Sequence, residues 1–170
     1  MKRILVVDDD RMNCVMAKKA LEEDYEVHMA YSGTEALAFL EENEADLIVM
    51  DISMPDISGT ETVARIREQE KWQELPIIFL TADTDPKTEV ECLNGGADDF
   101  IIKPFVPVVM NTRVSRILEI HELRKELERK LEKSTKQAET ATLKSLTDAL
   151  TGLRNRDYLK KTLEEWLKNG

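Results

Sequence analysis

No apolar stretch in this chain of 170 residues approaches the roughly eighteen that a membrane-spanning helix needs. The run after Met1-Lys2-Arg3 does not read as a signal-peptide pattern either, because Asp8 breaks it. The expected location is the cytoplasm, with no membrane partner. Cysteine is scarce. Cys14 and Cys92 stand far apart and lack metal-ligand spacing, so they read as reduced thiols in or near a core, with redox sensing as the alternative. A basic patch is also missing. Residues 1–105 carry 10 Lys and Arg against 24 Asp and Glu, a balance of −14; residues 106–170 carry 14 against 10, a balance of +4. The acidic front argues against nucleic acid, and the mildly basic back alternates in sign as a solvated helix surface does. The remaining composition allows one globular domain with an extension.

What the chain does have is a set of short, β-branched apolar runs, each closed by a polar group. Ile4-Leu5-Val6-Val7 ends at Asp8-Asp9, Leu47-Ile48-Val49-Met50 at Asp51, Ile77-Ile78-Phe79-Leu80 at Thr81, and Phe100-Ile101-Ile102 at Lys103. Such runs read as buried strands of a parallel sheet. Strands are expected at Arg3–Val7, Tyr25–Ala30, a third ending at Asp51, Pro76–Leu80 and Asp99–Ile102. Helices are expected over Arg11–Glu23, from Ser32 to near Glu42, over Thr60–Lys71, and from Asp85-Pro86 to Asn94. Met54-Pro55-Asp56-Ile57-Ser58-Gly59 reads as a loop. The alternation predicts an α/β fold, a doubly wound five-stranded parallel sheet covered on both faces.

Ligands of open α/β sheets bind outside the carboxyl ends of the strands. The sequence therefore gathers three carboxylates, a hydroxyl and an ammonium at one edge. Three close carboxylates repel one another unless a cation intervenes, and hard oxygen donors suit Mg2+ or Mn2+. An aspartate is also a nucleophile in phosphoryl transfer, where positioning and charge stabilisation carry most of the catalysis. Taken singly each residue has a plainer reading: Asp9 or Asp10 as a helix cap, Thr81 as a strand end, Lys103 as a solvated charge, Phe100 as a core aromatic.

Residues 1–105 resemble the receiver domain of two-component response regulators. The matching stretches are Ile4 to Asp10, Asp51-Ile52-Ser53-Met54-Pro55, Leu80-Thr81-Ala82 and Gly96 to Phe105. The resemblance implies a flavodoxin-like sheet in the order 2-1-3-4-5, and phosphorylation of Asp51 by a histidine kinase or phosphotransfer protein. It implies Mg2+ held by Asp8, Asp9, Asp51 and the Ser53 carbonyl, with Thr81 and Lys103 on the phosphoryl oxygens. Thr81 and Phe100 would be the switch pair, and a cis peptide is expected between Lys103 and Pro104. Ser58 stands where Asp is common in the family, with no consequence for the chemistry.

From Pro107 to Leu146 no further glycine or proline occurs, and residues 106–146 read as one long helix. A 3-4 spacing runs through Ile117, Ile120, Arg124, Leu127, Leu131, Ser134, Ala138 and Ala141, an imperfect coiled-coil seam that predicts a homodimer. A single exposed helix held by charge pairs is the alternative. Residues 147–170 begin a new unit, with a final helix from an Asn155 cap to Leu167. Asp148 to Arg156 resembles the opening of GGDEF domains, the diguanylate cyclase family, which make cyclic di-GMP from GTP. The chain stops before that family's GTP site, so this fragment is expected to lack the activity, and a longer parent to have it. A receiver acting only as a protein-binding scaffold is the rival. Gly95 to Phe100 imitates the missing signature but leads into a strand. His121-Glu122-Leu123-Arg124 imitates a phosphoacceptor histidine box on a charged helix, and His28 reads as structural.

Overall fold

The computed structural model describes residues 1–82, 95–146 and 156–169. The described residues hold five strands: β1 (Arg3–Val7), β2 (Glu26–Ala30), β3 (Leu47–Asp51), β4 (Ile77–Thr81) and β5 (Asp99–Ile102). The helices are α1 (Arg11–Leu21), α2 (Gly33–Glu42), α3 (Gly59–Arg67), α4 (Pro107–Leu146) and α5 (Arg156–Asn169), with a 3-10 turn at Glu70–Trp72. The expected helix after Asp85-Pro86, Cys92 and the Asn155 cap lie outside the described residues.

All strand pairs are parallel, in the order β2-β1-β3-β4-β5. Side chains alternate between the two faces of each strand, which divides the core in two. Ile4, Val6, Val49, Ile78 and Leu80 face Cys14, Ala17 and Leu21 of α1 and Met110, Val114, Ile117 and Leu118 of α4. Leu5, Val7, Ile48, Met50 and Phe79 face Ala36 and Leu40 of α2 and Val63 and Ile66 of α3. Each Val, Leu, Ile, Met or Phe side chain so withdrawn from water contributes about 1.5–3 kcal/mol before entropy is counted.

Local chemistry sets the helix starts. Asp10 caps α1 by accepting from Met12 N at 2.8 Å. Ser32 caps α2 by accepting from Glu35 N at 3.0 Å, while Glu35 reaches back to accept from Tyr31 N at 2.7 Å. Ser58 accepts from Glu61 N at 3.1 Å to start α3. That helix stops at Arg67, short of the expected Lys71. The Arg67 guanidinium donates to the carbonyls of Trp72, Leu75 and Gly96 at 2.9, 2.7 and 2.8 Å, which folds the following chain back into the 3-10 turn.

The chain forms two compact units, Met1–His121 and Glu122–Gly170. The first reaches beyond the expected boundary at residue 105, because the opening turns of α4 close one face of the sheet. Ile117 belongs to that core, 8% exposed, and not to a seam open to a second chain. In contrast Ile120, Leu123, Leu127 and Leu131 are exposed. In the second unit Arg124–Glu128 and Lys130–Glu126 pair at 3.1 and 2.8 Å, at the i,i+4 spacing that supports a helix. Leu159, Leu163 and Trp166 are exposed along α5. Among the described residues no helix is long and apolar enough to cross a membrane.

Candidate functional site

The strand register brings the polar chain ends together. Asp51 is level with Leu80, and Thr81 with Ile102. The ladder continues one step past the strands, with Ile52 N donating to Leu80 O at 3.1 Å and Lys103 N to Thr81 O at 2.7 Å. Asp8, Asp51, Thr81 and Lys103 therefore come to one edge of the sheet. Asp8, Asp51 and Thr81 are buried, and Asp9 is exposed.

Lys103 is the electrostatic centre of the edge. Its Nζ lies 2.7 Å from Asp8 Oδ2 and 2.9 Å from Asp51 Oδ1. Asp8 Oδ1 accepts from Asp10 N at 3.0 Å and from Asn13 Nδ2 at 3.2 Å, whereas Oδ2, fully buried, has only the Lys103 ammonium as a close partner among the described residues. Burial pushes the Asp51 carboxyl above its usual range; the Lys103 hydrogen bond and charge and the Ser53 N–H pull it down, while Asp8 adds to the rise. Burial also works against the charged form of Lys103, but its two carboxylate partners prevail and hold the ammonium above its usual value.

Carboxylate oxygens of Asp8, Asp9 and Asp51 all lie within 4.8 Å of one another. A Mg2+ ion with oxygen ligands at about 2.1 Å separates opposite ligands by about 4.2 Å, so three oxygens spaced by up to 4.8 Å need to draw in by at most about 0.6 Å to share one coordination shell. Ser53 is exposed at the start of the β3–α3 loop, and its N–H donates to Asp51. Phe100 is partly buried against the α2/α3 side of the core, level with Phe79. The Lys103–Pro104 peptide is cis. Cys14 is buried with Sγ 3.4 Å from Asp8 O, and burial, then Asp8, push its thiol up to about 12, so it is an unreactive packing group.

Two contributors were not visible in the letters alone. Gly59 is one: a Cβ there would lie 2.1 Å from the Asp51 carbonyl oxygen, so only glycine lets α3 start this close to β3. Asn13 is the second, aimed at Asp8 from the first turn of α1. The decoy motifs find structural uses. Asp98 accepts from Ile77 N at 2.9 Å and pairs with His121 at 2.9 Å, and Asp99 pairs with Arg113 at 2.8 Å. His28 pairs with Glu26 at 2.9 Å and packs tilted against Phe39, ring centres 5.0 Å apart.

Comparison with known proteins matches residues 4–115 to the response regulator receiver domain. The alkaline phosphatase synthesis transcriptional regulatory protein PhoP of Bacillus subtilis is 39% identical over 123 residues, 72% of this chain and 50% of that protein. The transcriptional regulatory protein AfsQ1 of Streptomyces coelicolor is 33% identical over 162 residues, 95% of this chain and 67% of that protein. The chain thus spans about half the length of PhoP. Among solved structures, the chemotaxis protein CheY4 of Vibrio cholerae is similar with 34% identity and a TM-score of 0.66, over 69% of this chain and 98% of that one.

Proposed function

The chain belongs to the response regulator receiver family, and from that membership we propose that Asp51 is its phosphoacceptor. Receiver domains accept phosphoryl groups from histidine kinases. In the proposed reaction a carboxylate oxygen of Asp51 attacks the phosphorus of a phosphohistidine. A P–O bond forms, the P–N bond breaks, and its electron pair returns to the imidazole of the kinase. Asp8, Asp9, Asp51 and the Ser53 carbonyl would hold Mg2+ or Mn2+, which when bound offsets the carboxylate charge facing an anionic donor. The Lys103 ammonium, already beside Asp51, neutralises charge on the arriving phosphoryl oxygens, and the Thr81 hydroxyl donates to them. The observation that carries this reading is the convergence of three carboxylates within 4.8 Å on a lysine paired to two of them.

The switch follows from local charge. A phosphoryl group on Asp51 draws Thr81 toward it, and Phe100 turns into the space released. The same phosphorylation alters pairing of α4 between two copies, through the exposed Ile120, Leu127, Leu131 and Ala138. Incubation with beryllofluoride and Mg2+, followed by sizing and spin-label distances along the helix, tests the step: a change in oligomeric state or in helix arrangement is expected, and no change in either removes the switch.

For the output, the Asp148–Arg156 resemblance supports a diguanylate cyclase. The names of PhoP and AfsQ1 favour a second reading, a transcriptional output. Cyclic di-GMP formation supports the first; operator binding without cyclic di-GMP supports the second.

A further inference from the structure

The loop that follows the acceptor, Ile52 to Ser58, is pinched at its base, where Gly59 N donates to Ile52 O at 2.8 Å. Its first residues carry the Ser53 backbone against Asp51. Its far side is tied by one side chain. The Asp56 carboxylate accepts from Thr34 N and Thr34 Oγ1, both at 3.0 Å, and from Gly33 N at 3.4 Å. These donors come from the first turn of α2, where backbone N–H groups lack helical partners and the dipole favours an anion. The approach is close: a Cβ on Gly33 would lie 2.2 Å from Thr62 Oγ1 and 2.6 Å from Ile57 Cγ1.

A plain helix cap does not account for this carboxylate. Helix α2 already has its own, Ser32 with Glu35 in reciprocal hydrogen bonds. Asp56 reaches it from 22 residues away, so the tie chiefly fixes the loop. Helix α2 is a firm anchor, with Ala36 and Leu40 in the core.

We infer that Asp56 is a positioning residue for the cation site: by clamping the β3–α3 loop to the start of α2, it holds the Ser53 backbone where a divalent ion on Asp51 needs it. The inference rests on the proposed metal-assisted phosphorylation of Asp51. Its chemistry is indirect, since Asp56 touches neither ion nor phosphoryl group. The clamp is anionic at any working pH, because the surrounding donors outweigh the cost of burial and hold Asp56 at about 2.

Titration calorimetry with Mg2+ on the full chain, as wild type, Asp56→Ala, Asp56→Asn and Thr34→Val, tests it, together with phosphorylation by acetyl phosphate. Supporting partners of a metal site typically contribute about tenfold or more in affinity, and Asp56→Ala is expected to lose about tenfold. Asp56→Asn keeps an acceptor for Thr34 and recovers most of the loss; Thr34→Val falls between. At saturating Mg2+ the Asp56→Ala chain phosphorylates at nearly the wild-type rate, a split that general loosening of the fold does not produce. Wild-type Mg2+ affinity in a folded Asp56→Ala chain overturns the inference, as does equal loss in Asp56→Ala and Asp56→Asn. If the alanine chain does not fold, wild-type affinity in both milder variants overturns it. Failure of the wild-type chain to bind Mg2+ removes the proposed function itself, a separate result.

Discussion

Gly59 sits so close to Asp51 that a Cβ on it would come within 2.1 Å of the Asp51 carbonyl oxygen and 2.9 Å of the carbonyl carbon. The neighbour is backbone of a central strand, which cannot step aside as a flexible side chain can. Gly59→Ala is therefore expected to destabilise the fold by about 1–3 kcal/mol, the usual cost of overpacking. Chemical denaturation measures it. A variant as stable as wild type would mean that the start of α3 yields freely.

Lys103 holds two buried carboxylates, at 2.7 and 2.9 Å. Lys103→Met leaves Asp8 and Asp51 facing each other without a cation, and removing one partner of a buried ion pair costs about 3 kcal/mol or more. Part of that loss should return when Mg2+ is added in its place. Denaturation with Mg2+ and with EDTA gives both numbers. No recovery on adding Mg2+ would count against the three-carboxylate site.

The two aspartates of this region respond to pH in opposite senses. Asp51 is raised from 3.8, by burial first, so its favourable contribution is present below that value and is lost as pH rises through its folded pKa. Asp51→Asn should gain stability over wild type as pH rises in EDTA. Asp56 is lowered from 3.8 to about 2, so its contribution is present above 3.8 and lost as pH falls toward about 2. Asp56→Asn should flatten that acid limb. Urea titrations across pH read both slopes, and slopes of like sign in the two variants would contradict the assignment.

Ile117 and Leu131 share one periodic stripe but meet different fates. Ile117→Ala opens a cavity in the first unit and should cost about 2–4 kcal/mol. Leu131 is 67% exposed, so Leu131→Ala should leave monomer stability within about 0.5 kcal/mol while weakening self-association. Denaturation and sedimentation separate the two effects. Equal destabilisation by both would erase the division between core and seam.

These residues also show how far letters carry. The strands were legible because buried parallel strands appear as unbroken apolar runs, and β5 has the expected bounds at Asp99–Ile102. The clustering of Asp8, Asp51 and Lys103 followed, since parallel topology puts strand ends on one edge. Ile117 was misplaced because a core-facing stripe and a coiled-coil seam share a spacing; only burial distinguishes them. The end of α3 depended on three carbonyls that gather around Arg67 through tertiary folding. Asp56 read as a turn residue, for its partners lie 22 residues back along the chain.

The most direct measurement is the site of phosphorylation. The chain is incubated with acetyl phosphate and Mg2+, and the acyl phosphate is trapped and mapped by mass spectrometry. A single phosphoryl group on Asp51 is expected, abolished by EDTA and in Asp51→Asn. Incorporation at another residue, or undiminished incorporation in Asp51→Asn, would contradict it.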